Sequence, residues 1–105
     1  MAASETGSEE LRPIAGIDRL IHEPARLMIM AYLYVVESAD FLFLMRQTGL
    51  TAGNLSSHTS KLAAAGYLEV VKEFVDRKPH TMLRLTDAGR DAFQEYRVGM
   101  MQVLR

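Results

Sequence analysis

The sequence predicts an α+β fold, mainly α, in one domain. Three observations carry that prediction. Apolar residues recur at helical spacing along most of the chain, and one stretch after Gly66 switches to a period of two. The segments are bracketed by residues that start or stop helices, among them Asp40, Gly49, Thr51, Gly66 and Thr86-Asp87. A chain of 105 residues with 49% hydrophobic content suffices for one modest core.

Pro13 breaks an acidic leader, residues 1–13, and residues 14–105 form the folded unit. Ile14, Ile17, Leu20 and Ile21 follow at helix-like spacing, with Asp18 in the first turn, which predicts a short first helix. Pro24 suits the first turn of a second helix, where its missing N–H costs nothing. Ala25 to Val36 is apolar on nearly every side, so this helix belongs at the centre of the core. Asp40 is an N-cap for a two-turn helix, Phe41 to Thr48, that Gly49 stops. Thr51 caps the next helix, residues 51–65, whose Leu55, Thr59 and Leu62 share one face. Gly66 closes it in a left-handed conformation and returns Tyr67 over Leu62. From Tyr67 to Val75, Leu68, Val70 and Phe74 alternate with Glu69 and Glu73, as in a strand. Asp76-Arg77-Lys78-Pro79 forms a turn into a second strand, Thr81 to Leu85. Thr86-Asp87 caps a last helix with Phe93, Tyr96, Met100, Val103 and Leu104 on one stripe.

Composition narrows the function classes. The chain has no cysteine, which removes disulfides, thiolate metal cages and thiol redox sensing. Its longest apolar run, Leu27 to Val36, is about half the ~20 residues that span a bilayer. The polar, acidic start lacks the basic and apolar regions of a secretory signal, so a cytoplasmic protein with a frayed N-terminus is expected. The net charge of −1 argues against indiscriminate binding to nucleic acid, yet residues 51–85 hold five Lys/Arg and three acids. His22, His58 and His80 lie on three different elements without ligand spacing, so no metal and no cofactor is expected. No phosphate loop or catalytic Ser/His/Asp motif is present, and an enzyme is not expected.

Two short helices about a glycine turn, then a hairpin and a final helix, make a winged helix-turn-helix with a two-stranded β wing and a C-terminal helix. The residues Thr51-Ala52-Gly53-Asn54-Leu55-Ser56-Ser57-His58, Ala65-Gly66-Tyr67-Leu68, Arg77-Lys78-Pro79-His80-Thr81 and Leu85-Thr86-Asp87-Ala88-Gly89-Arg90 carry a resemblance. Over roughly Ile17 to Tyr96 the chain resembles the winged-helix DNA-binding domains of small prokaryotic transcriptional regulators, the MarR-like and ArsR-like groups. The resemblance implies a homodimer on a pseudo-palindromic double-stranded operator. Each recognition helix, 51–65, enters a major-groove half-site, and each wing, 67–85, lies on the backbone or in the minor groove.

In the recognition helix, Thr51, Ala52, Gly53 and Asn54 form a first turn whose open N–H groups and dipole favour phosphate. The resemblance places Asn54 and Ser57 against DNA, and an amide can bond two edges of adenine. Ser56, Ser60 and Lys61 are candidates for backbone contacts. The alternative is that Thr51 and Asn54 only cap and the serines form a solvated face. At the wing tip, Arg77, Lys78 and His80 are candidates for phosphate contacts, Pro79 stiffens the turn, and Arg84 and Lys72 assist. The recognition helix carries no arginine for guanine, which makes sequence specificity weak or shared with DNA shape.

Assembly is expected through the terminal elements. Met100, Met101, Val103 and Leu104 pack on Ile14, Ile17 and Leu20 of a second subunit, or else cover their own core. Leu42 and Phe43 are apolar where an amphipathic helix would be polar; a partner, an apolar effector or burial against the leader would each account for them. Two rival readings therefore stand beside the regulator: a winged helix used for protein–protein contact, and an effector-responsive repressor with an apolar small-molecule pocket near the long helices.

Overall fold

Helix α1, Pro24–Val35, opens the regular structure that the computed structural model describes over residues 16–104. It is followed by β1 (Ala39–Asp40), α2 (Phe41–Thr48), α3 (Ala52–Ala64), β2 (Leu68–Val75), β3 (Lys78–Leu85) and α4 (Asp87–Val103). The three strands form one antiparallel sheet in the order β1-β3-β2. Among the described residues no helix is long and apolar enough to cross a membrane.

Local signals set the helix ends as the sequence predicts. At α1 the sequence points only to Pro24 in the first turn; the cap itself is Glu23, which accepts from the Ala25 and Arg26 amides. Asp40 caps α2, and Gly49 ends it at φ +72°. The Thr51 hydroxyl accepts from the Asn54 amide at 3.1 Å to start α3. Gly66 at φ +82° ends it, and the Tyr67 amide returns to the Leu62 carbonyl at 3.0 Å.

Four expectations need correction. The predicted first helix is a run of turns over residues 16–23. Asp18 caps one turn only: its carboxylate accepts from the Leu20 and Ile21 amides and its carbonyl from the His22 amide, and Glu23, extended before Pro24, stops the turn from growing into a helix. Ile14 lies outside the described residues. The central helix is not buried all round, because Met28 and Val35 face solvent. The segment before α2 is a short strand, Ala39 and Asp40 pairing with Leu83 and Met82. The hairpin turn is only Asp76-Arg77, closed by the Val75–Lys78 pair, so Lys78, Pro79 and His80 belong to β3. Pro79 is tolerated there because Phe74–Pro79 is the pair next to the one flanking a two-residue turn. Its missing N–H points away from β2, where the sheet has no further partner beyond the two residues of β1.

The core gathers Ile21, Ile29, Met30, Leu33, Leu44, Leu55, Leu62 and Leu83, all fully buried, each worth about 1.5–3 kcal/mol relative to exposure. Phe93 and Tyr96 of α4 cover it from the other side. The base of the wing joins this core through Leu68, Leu83 and Leu85, whereas its distal half runs beyond the helices and leaves Phe74 79% exposed.

Tyr67 ties four segments together. Its carbonyl accepts from the Thr86 amide at 3.1 Å, and its hydroxyl donates to the Asp18 carboxylate at 2.6 Å, which pushes the phenol pKa up to about 12. Gly89 in the first turn of α4 lies directly on the Tyr67 carbonyl, and a Cβ there would collide with that backbone oxygen. Gly89→Ala is therefore expected to lower the unfolding free energy by about 1–3 kcal/mol in urea titration, although alanine is the better helix former.

Candidate nucleic-acid interface

Helix α3 divides sharply into two sides. Leu55, Thr59 and Leu62 are buried, and Thr51, Ala52, Gly53, Asn54, Ser56, Ser57, Ser60 and Lys61 are all exposed. At helical spacing the line opposite the buried face is Gly53, Ser57, Ser60 and Ala64. Every recognition-helix residue singled out in the sequence thus lies on the solvent side or at its start. Lys61 alone among them carries a charge.

His58 sits at the edge of the buried face and holds the helix from behind. Its Nδ1 accepts from the Arg26 guanidinium at 3.2 Å, and the Glu23 carboxylate lies 3.7 Å away. The inner edge of α3 is thereby tied to the first turn of α1, and the outer side remains uncommitted.

The wing separates the residues expected at its tip. Asp76 and Arg77 occupy the turn with φ of +51° and +68°, the left-handed pair that a two-residue hairpin demands and that asparagine and glycine usually fill. Arg77 and Lys78 are exposed beside each other at this end. His80 is not at the tip: its Nδ1 donates to Asp40 Oδ2 at 2.6 Å, which fastens β3 to the start of α2. Arg84 is engaged across the strands by Glu69 at 2.9 Å, while Lys72 is exposed on β2.

Asp40 does two things at once. One carboxylate oxygen receives His80, and the other accepts the Leu42 and Phe43 amides at 2.8 and 3.3 Å. The hydrogen bond from His80, assisted by these amides, holds its carboxyl below the usual aspartate value of 3.8. The sequence offered no sign of this partnership, since the two residues stand forty positions apart. It also passed over Arg46, which lines a shallow groove with Leu42, Phe43, Val75, His80 and Met82. Leu42 and Phe43 are 55% and 40% exposed there, and Phe43 meets Tyr32 edge-on at 6.0 Å.

Of the residues expected at a subunit interface, Ile17, Leu20 and Met100 pack on the protomer's own core. Val103 is half-buried, and Met101 and Leu104 are 67% and 78% exposed. The recess bordering α4 is lined by Asp18, Tyr67, Glu95 and Tyr96 as well as Ile17, so its wall is largely polar.

The winged helix DNA-binding domain family matches residues 25–104. An uncharacterised protein of Methanocaldococcus jannaschii is 32% identical over 85 residues, 81% of this chain and 92% of that one. The structure of a transcriptional regulator homologue from Pyrococcus horikoshii OT3 superposes with a TM-score of 0.82 and 31% identity, covering 91% of this chain and 94% of the other. A MarR variant from E. coli shares the fold at 14% identity, with a TM-score of 0.65 over 91% of this chain and 66% of its own.

Two outcomes follow from the wing. Arg77→Gly relieves a left-handed arginine, so the urea midpoint should rise by the equivalent of about 1 kcal/mol. The same variant should bind DNA more weakly, because the guanidinium at the tip is gone. Asp40 ionises more readily folded than unfolded, so its contribution to stability is full above the ordinary value of 3.8 and is lost as pH falls through its lower folded value. Asp40→Asn keeps a good N-cap but weakens the bond to His80. It should lower stability at neutral pH and flatten the acid limb of a stability profile below about pH 5; an unchanged limb would mean that the His80 bond contributes nothing.

Proposed function

The chain belongs to the winged helix DNA-binding domain family, and on that premise we propose that it is a cytoplasmic, homodimeric transcriptional regulator that acts by binding and not by catalysis. Helix α3 enters the major groove of one operator half-site, and the wing lies along the flanking backbone or minor groove. The observation that carries this reading is the outer side of α3: its residues are exposed, it opens on a capped helix start, and it is held from behind by Arg26 and His58. Thr51, Ala52, Gly53 and Asn54 bring the first turn to a phosphate. Asn54 and Ser57 face bases, and Ser56, Ser60 and Lys61 face the backbone or the groove wall. Arg77 and Lys78 supply the phosphate contacts of the wing, and His80 positions it through Asp40.

The exposed Met101 and Leu104, with Val103, supply the apolar surface for a second copy; Ile17, Leu20 and Met100 support that surface from its own side. A second reading, docking of a protein partner, is favoured by the apolar groove of Leu42, Phe43, Val75 and Met82.

Fluorescence anisotropy on a pool of duplexes, including the gene's own upstream region, at about 50 and 200 mM salt tests the proposal. Sub-micromolar affinity that falls steeply with salt is expected, and Arg77→Ala with Lys78→Ala should reduce the log–log salt slope by about two. Absence of binding at low salt would leave the protein-docking reading in its place.

A further inference from the structure

The outermost line of α3 is unusually slim. Gly53, Ser57, Ser60 and Ala64 carry at most one heavy atom beyond Cβ, and Ala52 and Ser56 on one flank are equally small. Asn54 and Lys61 stand on the other flank. The fold gives no reason for the glycine: a Cβ at Gly53 would meet nothing within 4 Å, and its backbone is ordinary helix, where glycine is a poorer former than alanine. A side chain is thus missing at the point where an approaching surface would come closest.

Resting on the reading that α3 enters the major groove, we infer that this protein recognises A·T-rich half-sites through their major-groove edges, chiefly by packing thymine methyl groups on this slim line. Guanine presents N7 and O6 acceptors that are read by long forked donors, and none stands on the central line. Lys61, in the last turn, is the one cation on the helix. Thymine presents a methyl group that needs a small apolar surface at van der Waals distance, which the Ala52 methyl and the Cβ atoms of Ser56 and Ser57 supply once the backbone is close. Asn54 matches the N6 and N7 edge of adenine, and the serine hydroxyls donate or accept as the neighbouring base requires. Weak discrimination is not the consequence of lacking an arginine; a different pair of bases is read.

The experiment selects duplexes from a random pool with the full chain, then measures affinity for the best duplex and for altered copies of it. Half-sites rich in A·T are expected. Replacing thymine by uracil within a half-site should weaken binding roughly fourfold per contacted methyl, with no effect in the spacer. Inosine·cytosine pairs keep the minor-groove face of A·T but present the major-groove face of G·C, so they should lose roughly tenfold per position. Gly53→Leu should fold normally, as judged by its melting curve, and lose the selected duplex. Guanine-centred half-sites, indifference to uracil and inosine, or a Gly53→Leu variant that binds as the parent does would overturn the inference and leave DNA binding standing. Failure to bind any duplex at low salt would overturn the DNA reading itself, and this inference with it.

Discussion

The corner at Gly66-Tyr67 is the constraint on which the other parts depend. A left-handed residue turns the chain out of α3, and the next residue closes the helix through its amide, receives the start of α4 on its carbonyl and anchors residue 18 through its hydroxyl. The recognition helix, the wing and the last helix therefore share one backbone junction only two residues long. The Thr86 side chain strengthens it by donating to the Gly66 carbonyl while accepting from the Gly89 amide. No separate linker stands between the helix and the wing, so the two are presented together as one surface.

Two further polar ties complete that surface, and both use a histidine as a joint. His58 links the back of α3 to Arg26 and Glu23 at the head of α1, and His80 links β3 to the head of α2. Each joins elements distant in sequence and lies at the edge of the buried core. The apolar core sets the layers, and these directional bonds set the angle at which the helix and the wing are presented.

The helices from Phe41 onward were legible in the sequence because their ends are chemical: Asp40, Gly49, Thr51, Gly66 and Thr86 act within a few residues of themselves. The segment around Asp18 carries a true start signal as well, but Glu23, extended before Pro24, leaves that cap a single turn to close. A two-residue strand such as Ala39–Asp40 has no periodicity to read. The hairpin turn is two residues shorter than the sequence suggests, because Pro79 resembles a turn residue and Asp76-Arg77 lacks the glycine that marks a tight hairpin. Along the recognition helix, exposure followed from the spacing of Leu55, Thr59 and Leu62. The bonds of His58 and His80 did not, because they span 32 and 40 positions.

The division of α3 into an inner side that holds the fold and an outer side that holds nothing bears on how such a protein changes over time. Gly53, Ser56, Ser57 and Ser60 can each be replaced without disturbing the core face or a cap, so a new base preference can arise by one substitution that leaves folding untouched. On the proposed reading, residues that set stability and residues that set the target are drawn from different faces of a single helix. A lineage of these proteins can therefore diverge in the genes it addresses while its scaffold stays the same.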